Sequence, residues 1–287
     1  MKSINKAILY IISAAFFFSL MNTFVRLSGD LPSIQKSFFR NFIALIFALI
    51  ILQKQSNGIS FKRENLKLLI LRSALGTIGI LGNFYAVDRL LLSDASMMNK
   101  LSPFLVLIFS YFFLKEKIKL YQIILIFTAF IGCLFIVKPS FSADMFPFII
   151  GIIGAMGAGA AYTAVRALGL RGEKGPSIVF FFSAFSCLVT LPFVIFFYTP
   201  MSLKQICFLL LAGLAASGGQ FSITAAYSNA PASQISIYDY SQVLFAAFTG
   251  FIIFNEIPDI LKIIGYIIIC SAAAIMFIIN KKAKDTK

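Results

Sequence analysis

Runs of about twenty apolar residues, separated by short polar connections, narrow this chain to very few folds. A helix rises about 1.5 Å per residue, so each run can cross about 30 Å of hydrocarbon with its backbone N–H and C=O groups satisfied internally. Ten such runs are read, near residues 7–25, 37–52, 68–87, 93–114, 120–137, 148–168, 177–197, 205–226, 233–254 and 260–280. A transmembrane barrel would instead show alternating segments of about ten residues, and none occurs. Composition agrees: 60% of the 287 residues are hydrophobic, where a soluble domain has about 45–50% apolar residues. The expected class is an all-α integral membrane protein in the lipid bilayer. Its first run is read as an uncleaved helix, because it is long for a signal peptide and lacks a convincing cleavage site.

The net charge of +14 does not point to nucleic acid. The basic residues lie in short clusters between apolar spans, where they act as topology signals. With the N-terminus inside, the inner segments carry fifteen Lys and Arg, among them Lys2, Lys6, Lys54, Lys62, Arg63, Lys115, Arg171 and Lys281. The outer connections carry four: Lys36, Arg89, Lys138 and Lys204. This bias predicts a cytoplasmic-membrane protein with both termini cytoplasmic. Histidine is absent, which removes imidazole acid–base and metal chemistry. Cys133, Cys187, Cys207 and Cys270 each stand alone in an apolar run, so they are read as small hydrophobes, and no cofactor is expected.

Within this pattern residues 93–118, SDASMMNKLSPFLVLIFSYFFLKEKI, stand out, because Lys100 sits about two turns inside a membrane span. A cation there costs roughly 2.5–3.5 kcal/mol on insertion scales, so it is seldom incidental. The design returns 140 positions later as SQISIYDYSQVLFAAFTGFIIFNEIP, residues 233–258. Ser233 then falls opposite Ser93, Asp239 opposite Asn99, and Glu256 opposite Glu116. In the same gap-free register Arg26 meets Arg166, Gly79 meets Gly219, and Phe42 meets Phe182. Two repeats, 1–140 and 141–287, are expected, joined across Pro139–Pro147. Five helices is an odd number, so the second repeat must insert upside down. Ten transmembrane helices as two inverted five-helix repeats around a central cavity are the arrangement of many secondary transporters.

Polar residues gather on helices 1, 3, 4, 6, 8 and 9, the first, third and fourth of each half, whereas helices 2, 5, 7 and 10 read as lipid-facing. Polar faces avoid lipid, so these six are expected to enclose a cavity. Candidate substrate-binding residues are Asn22, Asn83, Asn99, Lys100, Tyr162, Gln220, Tyr238, Asp239 and Gln242. Lys100 and Asp239 lie deep in their spans and offer either a structural ion pair or a binding role. Arg26, Arg40, Arg72 and Arg166 read as interfacial anchors, and the glycines over 76–82 and 151–159 as close-packing sites.

The two fourth helices carry a family resemblance. Each has a small-residue start, a mid-helix Pro or polar break, a bulky apolar run and a terminal Glu. In this the chain resembles the drug/metabolite transporter superfamily, EamA type, over nearly its whole length. That family usually has Gly before the Glu, where Lys115 and Asn255 stand here, and Pro103 has Val243 as its counterpart. The resemblance implies ten helices, cytoplasmic termini and a central cavity opened alternately to either side. It also implies transport of small organic solutes, often export, commonly driven by an ion gradient.

The function read is a secondary transporter, as an exporter of a small polar or zwitterionic metabolite such as an amino acid, with a proton or ion as coupling partner. A passive channel is the alternative, and a membrane-embedded enzyme a more remote one. Lys100 would attract a carboxylate, Asp239 an ammonium group or a proton, and Tyr162, Tyr227, Tyr238 and Tyr240 would form the walls. Oligomeric state is open, because Phe-rich faces suit lipid and another subunit equally.

Overall fold

A computed structural model describes residues 2–54, 61–90, 98–138, 145–255 and 257–285. Ser93, Ser96, Glu256 and the start of the expected joint at Pro139 lie outside these residues. Among the described residues there is helix and no strand. The helices are α1 (Lys2–Leu27), α2 (Ser33–Gln53), α3 (Leu66–Arg89), α4 (Ser102–Leu114), α5 (Leu120–Val137), α6 (Met145–Leu170), α7 (Gly175–Phe196), α8 (Leu203–Asn229), α9 (Ala232–Phe254) and α10 (Ile260–Asp285). Nine are long and apolar enough to cross a membrane, and α4 is a shorter apolar helix of 13 residues. The shortening has a local cause. Lys100 and Leu101 form a turn just before α4, and Pro103 opens the helix, where its missing N–H costs nothing.

Exposure is inverted relative to a soluble protein. Phe112, Phe113, Leu188, Phe196 and Ile267 are exposed, while Arg72, Asn41, Ser183 and Gln220 are buried. Such an apolar exterior suits acyl chains, and the polar groups must satisfy one another or a cavity.

The helices pack in matched sets: α1 with α8 and α3 with α6, α2 with α8 and α3 with α7, and α1 with α9 and α4 with α6. Advancing each helix by five exchanges the members of each set. The pairs α2–α7 and α5–α10 map onto themselves. Glycines set the closest approaches. A Cβ on Gly82 would lie 2.7 Å from the Cα of Gly154, and one on Gly157 would lie 2.8 Å from the carbonyl of Leu75. Close packing is therefore one role of the α3–α6 glycines. On α5 and α10, Gly132 and Gly265 meet in the same way.

Both fourth helices end in one conformation. Lys115 and Asn255 are left-handed, with φ 53° and 54° and ψ 31° and 32°, and their N–H groups bond to the carbonyls of Ser110 and Gly250. All four residues are related by the 140-residue offset. A left-handed C-cap favours Gly, and both sites carry a side chain instead.

Polar contacts between connections define two ends of the bundle. At one end, Lys62 N–H and Asn65 Nδ2 donate to the Glu173 carboxylate at 3.2 and 2.8 Å, and Lys62 Nζ donates to Arg171 O at 2.8 Å. Glu116 lies at this end too. It pairs with Arg166 at 2.7 Å and accepts the Ala232 N–H at 3.2 Å. At the other end the Gln35 side-chain amide exchanges two 3.0 Å hydrogen bonds with the Thr199 backbone, and Lys138 pairs with Asp259. The described connections thus alternate between ends, and the start of α1 and the end of α10 fall at the Glu116–Arg166 end.

Candidate functional site

Two interrupted helices build the centre. Before α4 the chain turns at Lys100–Leu101. Within α9 a short α-turn, Ala232–Ile235, passes into a 3-10 segment, Ser236–Tyr240, before regular helix resumes at Ser241. The interruptions meet: Tyr240 Oη donates to the carbonyl of Lys100 at 3.1 Å, joining residues 140 apart in sequence. Backbone freed from α-helical pairing at membrane depth is tolerated where protein or a water-filled cavity receives it. Lys100 Nζ donates to Gln242 Oε1 at 2.6 Å and lies 3.7 Å from Asp239 Oδ2. These side chains are only 9% and 14% exposed for Lys100 and Asp239, so the pair interacts in a medium of low polarity.

Beside this cluster lies a cavity of about 110 Å³. Seven of the nine residues singled out from sequence line it: Asn22, Asn83, Asn99, Tyr162, Gln220, Asp239 and Gln242. Lys100 and Tyr238 do not. The Lys100 ammonium sits behind Gln242 and Asp239, and Tyr238 is buried with no hydrogen-bond partner for its hydroxyl. Asn99 Nδ2 donates to Asn83 Oδ1 at 3.1 Å. Tyr162 stacks on Tyr227 with centroids 5.2 Å apart, and the Tyr227 hydroxyl reaches Ser236 Oγ at 3.3 Å. Gly76, Gly79, Gly151 and Gly154 also face the cavity, so packing is only part of their role.

A second space of about 450 Å³ shares Asn22, Asn83, Phe84 and Asn99 with the first. It runs to Asp30, Ser33 and Lys36 at the α1–α2 connection. Thr23 and Thr249 hydrogen-bond across it at 3.1 Å, and the Arg26 guanidinium lies 4.0 Å from the Phe254 ring centre. The second space thus extends toward the end away from Glu116–Arg166, and at the Glu116–Arg166 end the ion pair and the Glu173 contacts bind the connections together.

Two expectations from the sequence are corrected. Helices α2 and α7 are not solely lipid-facing. Asn41 of α2 donates to Ser186 of α7 at 2.9 Å, and Arg40 and Phe182 from these helices line the cavity. Nor are the arginines interfacial anchors as a group. Arg40 is 8% and Arg72 1% exposed, both facing the cavity, and Arg166 is held by Glu116. An arginine near a helix end can extend to the interface or fold inward, and residues far along the chain decide which. For Arg72 the deciding residues are Phe182, whose ring centre lies 3.8 Å from the guanidinium carbon, and Gly76, whose missing side chain leaves room for Nη1. A signal was available: Arg72, Gly76, Gly79 and Asn83 recur at four, three and four residues, one face of a helix.

A family model described as the EamA-like transporter family matches residues 5–138 and again 145–278. The chain belongs to the EamA-like transporter family. It is 33% identical over 272 residues to the pseudopaline exporter CntI of Pseudomonas aeruginosa, covering 94% of this chain and 95% of that protein. It is 24% identical to the S-adenosylmethionine uptake transporter of Rickettsia bellii over 91% of this chain and 89% of that one. Human solute carrier family 35 member G1 is 26% identical, with 87% and 72% covered. A crystal structure with 12% identity superimposes with a TM-score of 0.83 over 97% of this chain and 99% of its own, a likeness of fold. This EamA-like protein is a multi-pass membrane transporter.

Proposed function

We propose that the protein is a secondary active transporter of the cytoplasmic membrane that exports a small polar metabolite by alternating access. Its ten spans form two inverted five-helix repeats, residues 1–140 and 141–287, with both termini cytoplasmic. The observation that carries this reading is the cavity at the paired helix interruptions, open toward one end and latched at the other. The matched packing pairs and the duplicated family match support the repeat. The Lys and Arg bias supports placing the latched end in the cytoplasm, so the conformation faces outward.

Alternation follows from the contacts. To open the cytoplasmic end, Glu116 must release Arg166 and the Ala232 N–H, and Glu173 must release Lys62 and Asn65. Losing a largely buried pair costs a few kcal/mol, which contacts newly made at the outer end must offset. Thr23–Thr249 and Arg26–Phe254 already join α1 to α9 there, and closure would add contacts around them. Asparagines and Gln220 orient the cargo through hydrogen bonds, Tyr162 backed by Tyr227 supplies an apolar wall, and Asp239 is the group able to exchange a proton or cation.

Relatives include a protein named as an exporter and one named for uptake, and the 33% relative favours export. The deciding experiment starts with thermal shift of the purified protein against amino acids, nucleosides and polyamines. A stabilising compound is then tested for counterflow in proteoliposomes. A carrier gives trans-stimulated exchange; flux indifferent to cargo on the far side makes the protein a channel.

A further inference from the structure

The inner cavity is short of negative charge. Arg40, Arg72 and, behind its wall, Lys100 face one carboxylate, Asp239, which Lys100 already approaches to 3.7 Å. None of the ion pairs among the described residues involves Arg40 or Arg72. Arg72 is 1% exposed, yet its Nε and Nη1 have no hydrogen-bond partner. Its guanidinium lies against the Phe182 ring, which receives the cation's face but leaves those two in-plane donors unused. Arg40 Nε finds only the Met21 thioether, 3.1 Å away, a weak acceptor for a charged donor. Removing two guanidinium groups from water without an acid partner is costly. A cavity of about 110 Å³ holds a few waters, which can solvate them when no cargo is present.

We propose that Arg72, with Arg40, forms a carboxylate-recognition subsite, and that the cargo is a net anion bearing at least two carboxylates rather than a simple zwitterionic amino acid. The inference rests on the transport reading and sharpens its substrate class. An amino acid brings one carboxylate and one ammonium group, and its ammonium would meet an Asp239 already neutralised by Lys100. Two cations would then still face a single carboxylate. A second carboxylate removes that imbalance, and the planar two-oxygen group matches the arginine fork. The inner space accommodates the anionic head, and the wider space beyond Asn83 and Asn99 takes the remainder.

The test uses the full-length protein with Cys207→Ala and Cys270→Ala, the other two cysteines being buried, and Asn83→Cys as a reporter where the two spaces join. Anionic sulfonatoethyl and cationic trimethylammonioethyl methanethiosulfonates are compared for rate, each corrected for its rate with a free thiol. A cavity of this charge should favour the anionic reagent by tenfold or more. Arg72→Gln should erase most of that preference. Arg72→Lys should retain it while weakening protection by tricarballylate, since the charge survives but the fork does not. Tricarballylate should protect the reporter in the otherwise unaltered protein, and glutamine and glycerol 3-phosphate should not. Equal reaction of the two reagents, no protection by tricarballylate, or equal protection by glutamine or by the phosphate ester overturns the proposal. If neither reagent reacts, the open pathway is absent, and the transport reading fails first.

Discussion

Removing the ammonium of Lys100 and the carboxylate of Asp239, separately and together, tests whether the centre of the protein is held by an ion pair. The groups lie 3.7 Å apart, and at an effective dielectric near 20 their attraction is about 4.5 kcal/mol before desolvation. Desolvation offsets much of this, so the expected coupling between Lys100→Met and Asp239→Asn is about 1–3 kcal/mol. The single variants should differ. Asp239→Asn leaves the ammonium bonded to Gln242 Oε1 at 2.6 Å, whereas Lys100→Met leaves the carboxylate without its cation. Lys100→Met should be the more damaging, and the double variant should melt above it. Thermal unfolding of detergent-purified protein reads this out, at roughly 2–4 °C per kcal/mol. Simple additivity of the two losses would show that the pair contributes no coupling and would refute the reasoning.

Other expectations follow from the same contacts. Asp239→Asn should abolish coupled transport in proteoliposomes while leaving the protein folded; full retention would confine Asp239 to a structural role. Glu116→Gln removes the charge that holds Arg166 at 2.7 Å and should expose cysteines placed on the cavity wall to reagents added from the Glu116–Arg166 end, which unchanged labelling would contradict. Lys115→Gly should stabilise by about 0.5–1 kcal/mol, because φ is 53° there, and Asn255→Gly by less, since Asn tolerates the left-handed region. A lower melting temperature for Lys115→Gly would disprove the strain. Asp259, outside the spans, is held below its ordinary value of 3.8 by the hydrogen bond from Lys138. Its small contribution is therefore present above that pH and is lost as pH falls through the lowered value. Asp259→Asn should flatten the acid limb of the melting profile, and an unchanged limb counts against the bond.

Much of the architecture was legible along the chain because its causes are local. A run of about twenty apolar residues must become helix in a bilayer whatever its neighbours are. The 140-residue offset could be read by aligning the chain with itself. The structure shows what that offset corresponds to at particular places: the matching left-handed caps at Lys115 and Asn255, and the contact from Tyr240 to Lys100. Polar residues such as Asn83, Asn99, Asp239 and Gln242 were conspicuous by being expensive in hydrocarbon, and the cavity gathers them.

What the chain by itself determined, then, is its class, its helical runs, its internal repeat and most of the polar residues around the cavity. Tertiary structure decided which cations face the cavity. Arg72 turns inward because Phe182, over a hundred residues away, offers a ring and Gly76 offers space, and Arg40 turns inward beside Met21 and Phe18. Lys100, the most prominent charge in the sequence, withdraws behind Gln242 and Asp239. Hydropathy measures the cost of placing a charge in a span, but the direction of a long side chain depends on partners from other helices. Those partners are brought together only by folding.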